Sequence, residues 1–348
     1  MRSIEAEVAA RGAILSGALT LPGDGAEAVV LCIHGTGPMD RDQNFVLQKL
    51  DVFNTIAAHL AARGIATFRY DKRGCGESTG DYLSAGHFDL VADAVACLHF
   101  LKAGSLARFQ RFHLLGHSEG TIIAAEVAAE RGGVDGLVLL SPFLQRLEDI
   151  LMAQAGRIEA VLPAIPGFGG FIARLMTKVT GSPTSAQRSL IRKLRATSKP
   201  VIRHRLSRVT AKSLRELLTL DPPAIYARVK VPTLLVAGGK DLQCDPEDAS
   251  RIAAIIGPAA TAIVIPDLTH CLRKDSGEHT FLSYARLIKL PLDTEVLDIV
   301  GAWLARAAPP AQAAGEGPRY PRDAHDEPTD RTATERRQGR HGITTACT

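Results

Sequence analysis

The sequence predicts an α/β fold in which a mostly parallel central sheet is flanked by helices, and three observations predict it. Short apolar runs rich in Val, Ile and Leu recur along the chain, as strands buried on both faces require. Helical patterns of about 10 to 15 residues alternate with them, which is the rhythm of β-α-β units. The turn Gly116-His117-Ser118-Glu119-Gly120 joins one such run to an Ala-rich helical stretch, and open α/β sheets build their sites at corners of this kind.

The elements follow in order. An alternating segment from Ile4 to Leu21 reads as a hairpin-like lead-in. Candidate strands lie at Ala28 to Ile33, Ala66 to Tyr70, Phe112 to Leu115, Leu137 to Leu140, Thr233 to Val236 and Thr261 to Ile265. Helical spacing marks Val46 to Ala62, Leu90 to Lys102, Thr121 to Arg131, Glu247 to Ile256 and Thr294 to Ala305. Gly64, Gly132 and Gly257 stand just past three of these as stops, because glycine enters the left-handed region without strain.

Two regions break the rhythm. From about 144 to 226 the pattern is helical with no convincing strand, and it includes the Pro- and Gly-bearing apolar piece Ile158 to Met176. This reads as a helical cap inserted into a domain that spans 1–306. Fourteen Lys and Arg outnumber five Asp and Glu between Leu144 and Tyr226, so the remainder of the chain is net acidic. Charge runs are usually solvated helix faces; steering of anionic substrates or contact with a membrane surface is the alternative. Residues 307–348 are rich in Ala, Pro, Gly, Arg and Asp and nearly free of large apolar residues, so a disordered tail is expected there.

Composition narrows the function. The chain has 348 residues, 46% hydrophobic and 22% charged, enough for one large core or two small ones. A net charge of +4 is too mild to argue for nucleic acid, and neither a zinc-spaced cysteine cluster nor a Gly-Lys-Ser/Thr phosphate loop is present. No apolar stretch is long enough to span a membrane, and Arg2, Glu5 and Glu7 precede no apolar signal segment, so neither stable membrane insertion nor secretion is expected. The six cysteines are scattered and read as reduced thiols of a cytoplasmic protein. Cys244 and Cys271 each lie close to a candidate site residue, so an approach between them is weighed beside ordinary packing.

Ser118 carries the chemistry. A serine wedged between a buried strand and a helix sits on a strained turn, so the positions two residues to either side must be small, and both are glycine. The turn projects the hydroxyl into a cleft and sets the Glu119 N–H at a helix start, where unpaired donors favour a developing oxyanion. Alone, the pentapeptide also fits a serine that merely caps a helix. Its context adds three segments. His34-Gly35-Thr36-Gly37-Pro38 follows the first core strand and can turn backbone N–H groups towards Ser118, or be a plain turn. Gly238-Gly239-Lys240-Asp241 closes the strand at Val236, and His270 lies beyond the next helix and strand. Chain order is therefore Ser, Asp, His.

The pattern over residues 1 to 306 resembles the α/β-hydrolase superfamily. Its phrases HGTGPMDRD (34–42), YDKRGCGES (70–78) and GHSEG (116–120) look like a bacterial esterase branch related to prolyl-oligopeptidase-like and serine-aminopeptidase-like hydrolases. The resemblance implies an α/β-hydrolase fold and a soluble serine hydrolase without cofactor or metal, with Ser118 as nucleophile, Asp241 as acid and His270 as base. Thr121 departs from the branch, where a second glycine often follows the elbow, and so touches on local helix packing.

Each role has a chemical reason. A serine hydroxyl is a poor nucleophile, so an imidazole must take its proton and return it to the leaving group, while a carboxylate fixes that imidazole's tautomer. Asp245 and Asp267 compete as acids, and His113, His117 and His279 as bases, but none sits as naturally on a strand-end loop. Glu119, Gly35 and Thr36 are the expected oxyanion-hole donors. Asp71, Arg73 and Glu77 are expected to hold the turn after their strand. His117 is expected to be structural support, and the Glu119 side chain either pairs with a base or points into the cleft. Phe168, Phe171, Leu175 and Met176 are candidates for an acyl pocket, with packing of the cap as the equal alternative. The expected function is hydrolysis of a small-molecule ester through an acyl-enzyme on Ser118. Peptidases and acyltransferases share that intermediate and stay open, as does a non-catalytic binding protein of the same fold.

Overall fold

Alternate residues of the central strands feed opposite cores. In β6 (Gly136–Leu140), Leu137 and Leu139 enter one core and Val138 and Leu140 the other. The same division holds in β3 (Ala28–Ile33), β5 (Arg111–His117) and β9 (Thr233–Gly238), which explains why these strands read as unbroken apolar runs. The computed structural model describes residues 1–162, 181–205 and 207–306, together with 167, 175 and 177.

Eight strands form one sheet in the order β1 (Arg2–Ala10), β2 (Ala13–Leu21), β4 (Ala66–Tyr70), β3, β5, β6, β9 and β10 (Ala260–Ile265). The hairpin β1 and β2 runs antiparallel and pairs antiparallel with β4. From β4 to β10 every pairing is parallel. Helices α2 (His87–Lys102) and α3 (Glu119–Arg131) bury Leu90, Leu98 and Ile122 in one core. On the opposite face α1 (Val52–Ala61) adds Phe53 and Leu60 to the second.

Three differences from the sequence reading have physical causes. The helix expected from Val46 begins at Val52, because the preceding loop is tied by side-chain bonds that apolar spacing does not register. Asn44 Oδ1 accepts the N–H groups of Leu50 and Asp51 at 2.7 and 2.8 Å, and the turn from Phe45 to Gln48 leaves Val46 and Leu47 exposed. The interruption between β6 and β9 holds α4 (Leu147–Val161), α5 (Pro183–Arg195), α6 (Ala211–Leu217) and α7 (Pro222–Ala227). It also holds an unexpected hairpin, β7 (Val201–His204) with β8 (Ser207–Thr210), whose four-residue strands are too short for a period to register. The third difference is small: α3 starts at Glu119, so the Ser118 turn leads straight into the helix.

Helices α8 (Asp248–Ile256), α9 (Tyr284–Leu287) and α10 (Thr294–Arg306) complete the fold, and Val296 and Val300 of α10 join the core of α1. Five described cysteines are unpaired, and among the described residues no helix is long and apolar enough to cross a membrane. The expected tail at 307–348 and the candidate pocket residues Phe168, Phe171 and Met176 lie outside the described residues.

Candidate active site

The turn between β5 and α3 holds Ser118 at φ 54° and ψ −120°, a strained conformation for any residue but glycine. Packing enforces it. A Cβ on Gly116 would collide with the Gly120 carbonyl, and one on Gly120 with the Ile33 carbonyl. The Ser118 N–H donates to the Leu140 carbonyl at 3.0 Å, and the Thr121 N–H and hydroxyl donate to the Ser118 carbonyl at 2.9 and 2.6 Å. Thr121, buried in place of a second glycine, therefore braces the turn.

The loop after β3 lies against this turn. An ideal Cβ on Gly35 would stand 3.2 Å from Ser118 Cβ and 3.3 Å from the His117 carbonyl, a tight fit that glycine relieves. Gly35, Thr36, Ser118 and Glu119 line one cleft. As the first residue of α3, Glu119 has an N–H with no partner inside the helix.

Asp241 and His270 meet across the ends of β9 and β10. His270 Nδ1 and Asp241 Oδ2 are 2.8 Å apart, and both side chains are buried. The other carboxylate oxygen of Asp241 accepts the N–H groups of Gln243 and Cys244 at 2.7 and 2.9 Å. Burial pushes the Asp241 pKa up, but His270 and these two amides outweigh it and hold the carboxyl below its usual range. Gly239 carries no side chain where the His270 loop crosses, and its N–H donates to the Ile265 carbonyl at 2.8 Å. His270 lines the same cleft as Ser118.

The competing residues are occupied elsewhere. Asp245 bonds Arg251 at 3.0 Å and Asp267 bonds Lys240 at 2.8 Å. His113 is buried edge-on to Trp303, and His279 pairs with Asp275 at 3.1 Å. His117 is buried under the site: its Nε2 lies 2.9 Å from the His270 carbonyl and its Nδ1 2.6 Å from Gln43 Nε2. Because the carbonyl can only accept and the amide nitrogen can only donate, His117 is neutral with its proton on Nε2. Burial agrees, lowering its pKa to about 3. Of the turn residues, Asp71 holds its turn by accepting the N–H of Glu77 and also takes that of Arg41, whereas the side chains of Glu77 and Arg73 reach outside the turn, to Arg41 and Asp93.

Asp241, Cys244 and His270 bring a carboxylate oxygen, a thiol and an imidazole nitrogen within 4.8 Å of one another. Both carboxylate oxygens already accept hydrogen bonds, and burial pushes the Cys244 thiol well up, so the neutral thiol packs beside the pair as a small apolar group. Cys244 and Cys271 both face the cleft and are unpaired.

The cleft has a volume of about 360 Å³. Leu147, Ile150 and Leu151 of α4 line it together with Phe45, Leu50 and Ile288. The Glu119 side chain is buried beneath it, with His87 Nδ1 3.8 Å from Oε1. Burial raises its pKa, but His87, Lys72 and the Thr36 hydroxyl prevail and keep it an anion.

The sequence reading missed Gln43, Lys72 and Arg273. Arg273 ties the His270 loop down by donating to the carbonyls of Leu50, Cys271 and Leu290 at 2.6, 2.7 and 3.0 Å. No local pattern announces such residues, because their partners come from elsewhere in the chain. Lys72 sits inside the phrase YDKRGCGES (70–78), but the phrase does not say what its side chain grips.

Residues 26–277 match the serine aminopeptidase (S33) family. Esterase EstD of Thermotoga maritima is 27% identical over 295 residues, an alignment that covers 84% of this chain and 66% of that protein. The chain thus spans slightly less than two thirds of that relative. Among solved structures, Est1E from Butyrivibrio proteoclasticus with bound ferulic acid has a TM-score of 0.56 at 18% identity, covering 87% of this chain and 98% of the other. The Pyrococcus furiosus esterase Pf2001 has a TM-score of 0.57 at 16% identity, covering 88% and 91%. These likenesses establish the α/β-hydrolase fold, and the family match shows that the chain belongs to the serine aminopeptidase (S33) family of α/β hydrolases.

Proposed function

We propose that this protein hydrolyses carboxylic esters through an acyl-enzyme on Ser118. The His270 ring, held by Asp241 with its proton on Nδ1, presents a free Nε2 lone pair that takes the Ser118 proton as the oxygen attacks the ester carbonyl. The tetrahedral oxyanion is held by the N–H groups of Glu119 and of the Gly35–Thr36 loop. Collapse expels the alcohol with the proton from Nε2. Water then repeats the sequence to release the acid.

The observation that carries the choice of ester is the lining of the cleft. An aminopeptidase needs a free carboxylate to hold the substrate ammonium. Among the described residues lining the cleft, Glu119 alone is acidic, and its carboxylate is buried with the His87 imidazole 3.8 Å away as its counter-charge. The apolar walls suit an uncharged acyl or alcohol group. The named esterase relatives agree with this reading, and the unpaired cysteines support a reducing, cytoplasmic setting.

A panel of nitrophenyl esters from acetate to decanoate beside aminoacyl anilides tests the proposal. Esters should exceed the anilides in kcat/KM by about a hundredfold or more. Anilide turnover equal to that of the best ester would favour the peptidase reading, and acyl transfer to an added amine or thiol in preference to water the acyltransferase reading.

A further inference from the structure

Lys72 is a buried ammonium whose bonds all go to one place. It follows β4, is 3% exposed, and its Nζ donates to the carbonyl oxygens of Gly35 and, at 3.1 Å, Gly37. Its remaining face looks onto the Tyr82 ring at 5.7 Å. Its own N–H meets the Met39 carbonyl at 3.3 Å, tying the same two segments a second time. Among the described residues no carboxylate lies within ion-pair distance of it; Glu119, close enough to act through its field, is the acid that opposes the burial. Keeping an ammonium in such a place is costly, and a neutral side chain would pack the fold with less penalty.

The geometry of the peptide bond gives the lysine a purpose. In a trans peptide the C=O and the following N–H point in opposite directions. Gly35 shares its peptide plane with the N–H of Thr36, so a cation that pulls the Gly35 oxygen to one side turns the Thr36 N–H to the other. The same cation polarises the peptide and makes that N–H a stronger donor. Glu119 completes the frame. The Thr36 hydroxyl helps to hold its carboxyl below the usual range, and its own N–H opens α3 beside Ser118. His87 in turn lies between Glu119 and Glu126, with Nε2 2.6 Å from Glu126 Oε2, so the anion beside the nucleophile is anchored from behind.

We propose that Lys72, with Glu119 as its counter-charge, is a positioning residue for catalysis: it aims the Thr36 N–H, rather than that of Gly35, at the oxyanion formed above Ser118. This rests on the acyl-enzyme reading given above, but not on the identity of the substrate.

The test compares the wild type with Lys72→Met, and with Lys72→Gln as the variant that keeps a neutral donor. Folding is checked by the melting temperature and near-UV circular dichroism. Two quantities are then read: the rate at which a fluorophosphonate modifies Ser118, and the affinity for an alkyl trifluoromethyl ketone, which forms an oxyanion on the serine. In Lys72→Met both should fall by about 10- to 100-fold, with KM for a nitrophenyl ester within about twofold of wild type. Lys72→Gln should lie between them, and it carries the comparison alone if Lys72→Met does not fold. A folded variant with both quantities within about twofold of wild type would overturn the proposal. So would slow modification with unchanged ketone affinity, since the defect would then lie in proton transfer. If the wild-type Ser118 itself resists the fluorophosphonate, the acyl-enzyme reading fails first, and the two failures are told apart.

Discussion

The Nε2–H of His117 donates to the backbone carbonyl of His270 at 2.9 Å, so the residue before Ser118 holds the residue proposed to activate it. Gln43 completes the contact by donating to His117 Nδ1 from a loop 74 positions away. Three segments far apart in sequence are thereby locked around one imidazole. Replacing His117 by Phe keeps the ring volume but removes both bonds. We expect kcat to fall by about 10- to 100-fold with little change in KM, because a small displacement of a catalytic base is costly. Steady-state kinetics on a nitrophenyl ester check it, and an unchanged kcat would show that the carbonyl contact is incidental.

Asp241→Asn should leave the fold intact and lower kcat by about ten-thousand-fold, since an amide no longer enforces the tautomer with the proton on Nδ1. Asp245→Asn and Asp267→Asn should stay within about threefold of wild type, because their partners are Arg251 and Lys240. The three variants compared on one ester decide the acid. If either control loses more than Asp241→Asn, the assignment is wrong.

Two glycines should respond in opposite directions. Gly120→Ala forces a methyl into the Ile33 carbonyl and should cost on the order of 3 kcal/mol. Gly156, inside α4 with nothing near its would-be Cβ, should gain about 0.5 to 1 kcal/mol on replacement by Ala. Urea denaturation of both variants tests the pair; equal midpoints would contradict the packing account.

The His87 imidazole gives a pH dependence. Burial works against its charge, but hydrogen bonds and the fields of Glu119 and Glu126 prevail and raise its pKa to about 9. A folded-state pKa above the unfolded value of about 6.5 means a stabilisation that is complete below that pH and is lost as pH rises through about 9. The melting temperature should therefore fall between these limits, and less steeply in His87→Gln. Parallel melting curves for the two proteins across that window would refute the buried charge.

The central sheet was legible in the sequence because doubly buried strands such as Leu137 to Leu140 have no polar alternation to confuse the reading. The Ser118 turn was legible because its glycines answer to backbone collisions that nothing else can relieve. Val46 shows where the reading fails: an apolar residue at helical spacing sits on an exposed turn, since the bonds of Asn44 decide the loop. Lys72 shows the other limit. Its type and place were plain, but its role depends on the carbonyls of Gly35 and Gly37, and these meet it only once β3 and β4 are paired.

The most direct test of the account is the turnover of Ser118→Ala on a good nitrophenyl ester. If Ser118, His270 and Asp241 act as a unit, the loss should be about a million-fold, with the melting temperature preserved. Retention of more than about one tenth of the wild-type rate in that variant would contradict the acyl-enzyme on Ser118.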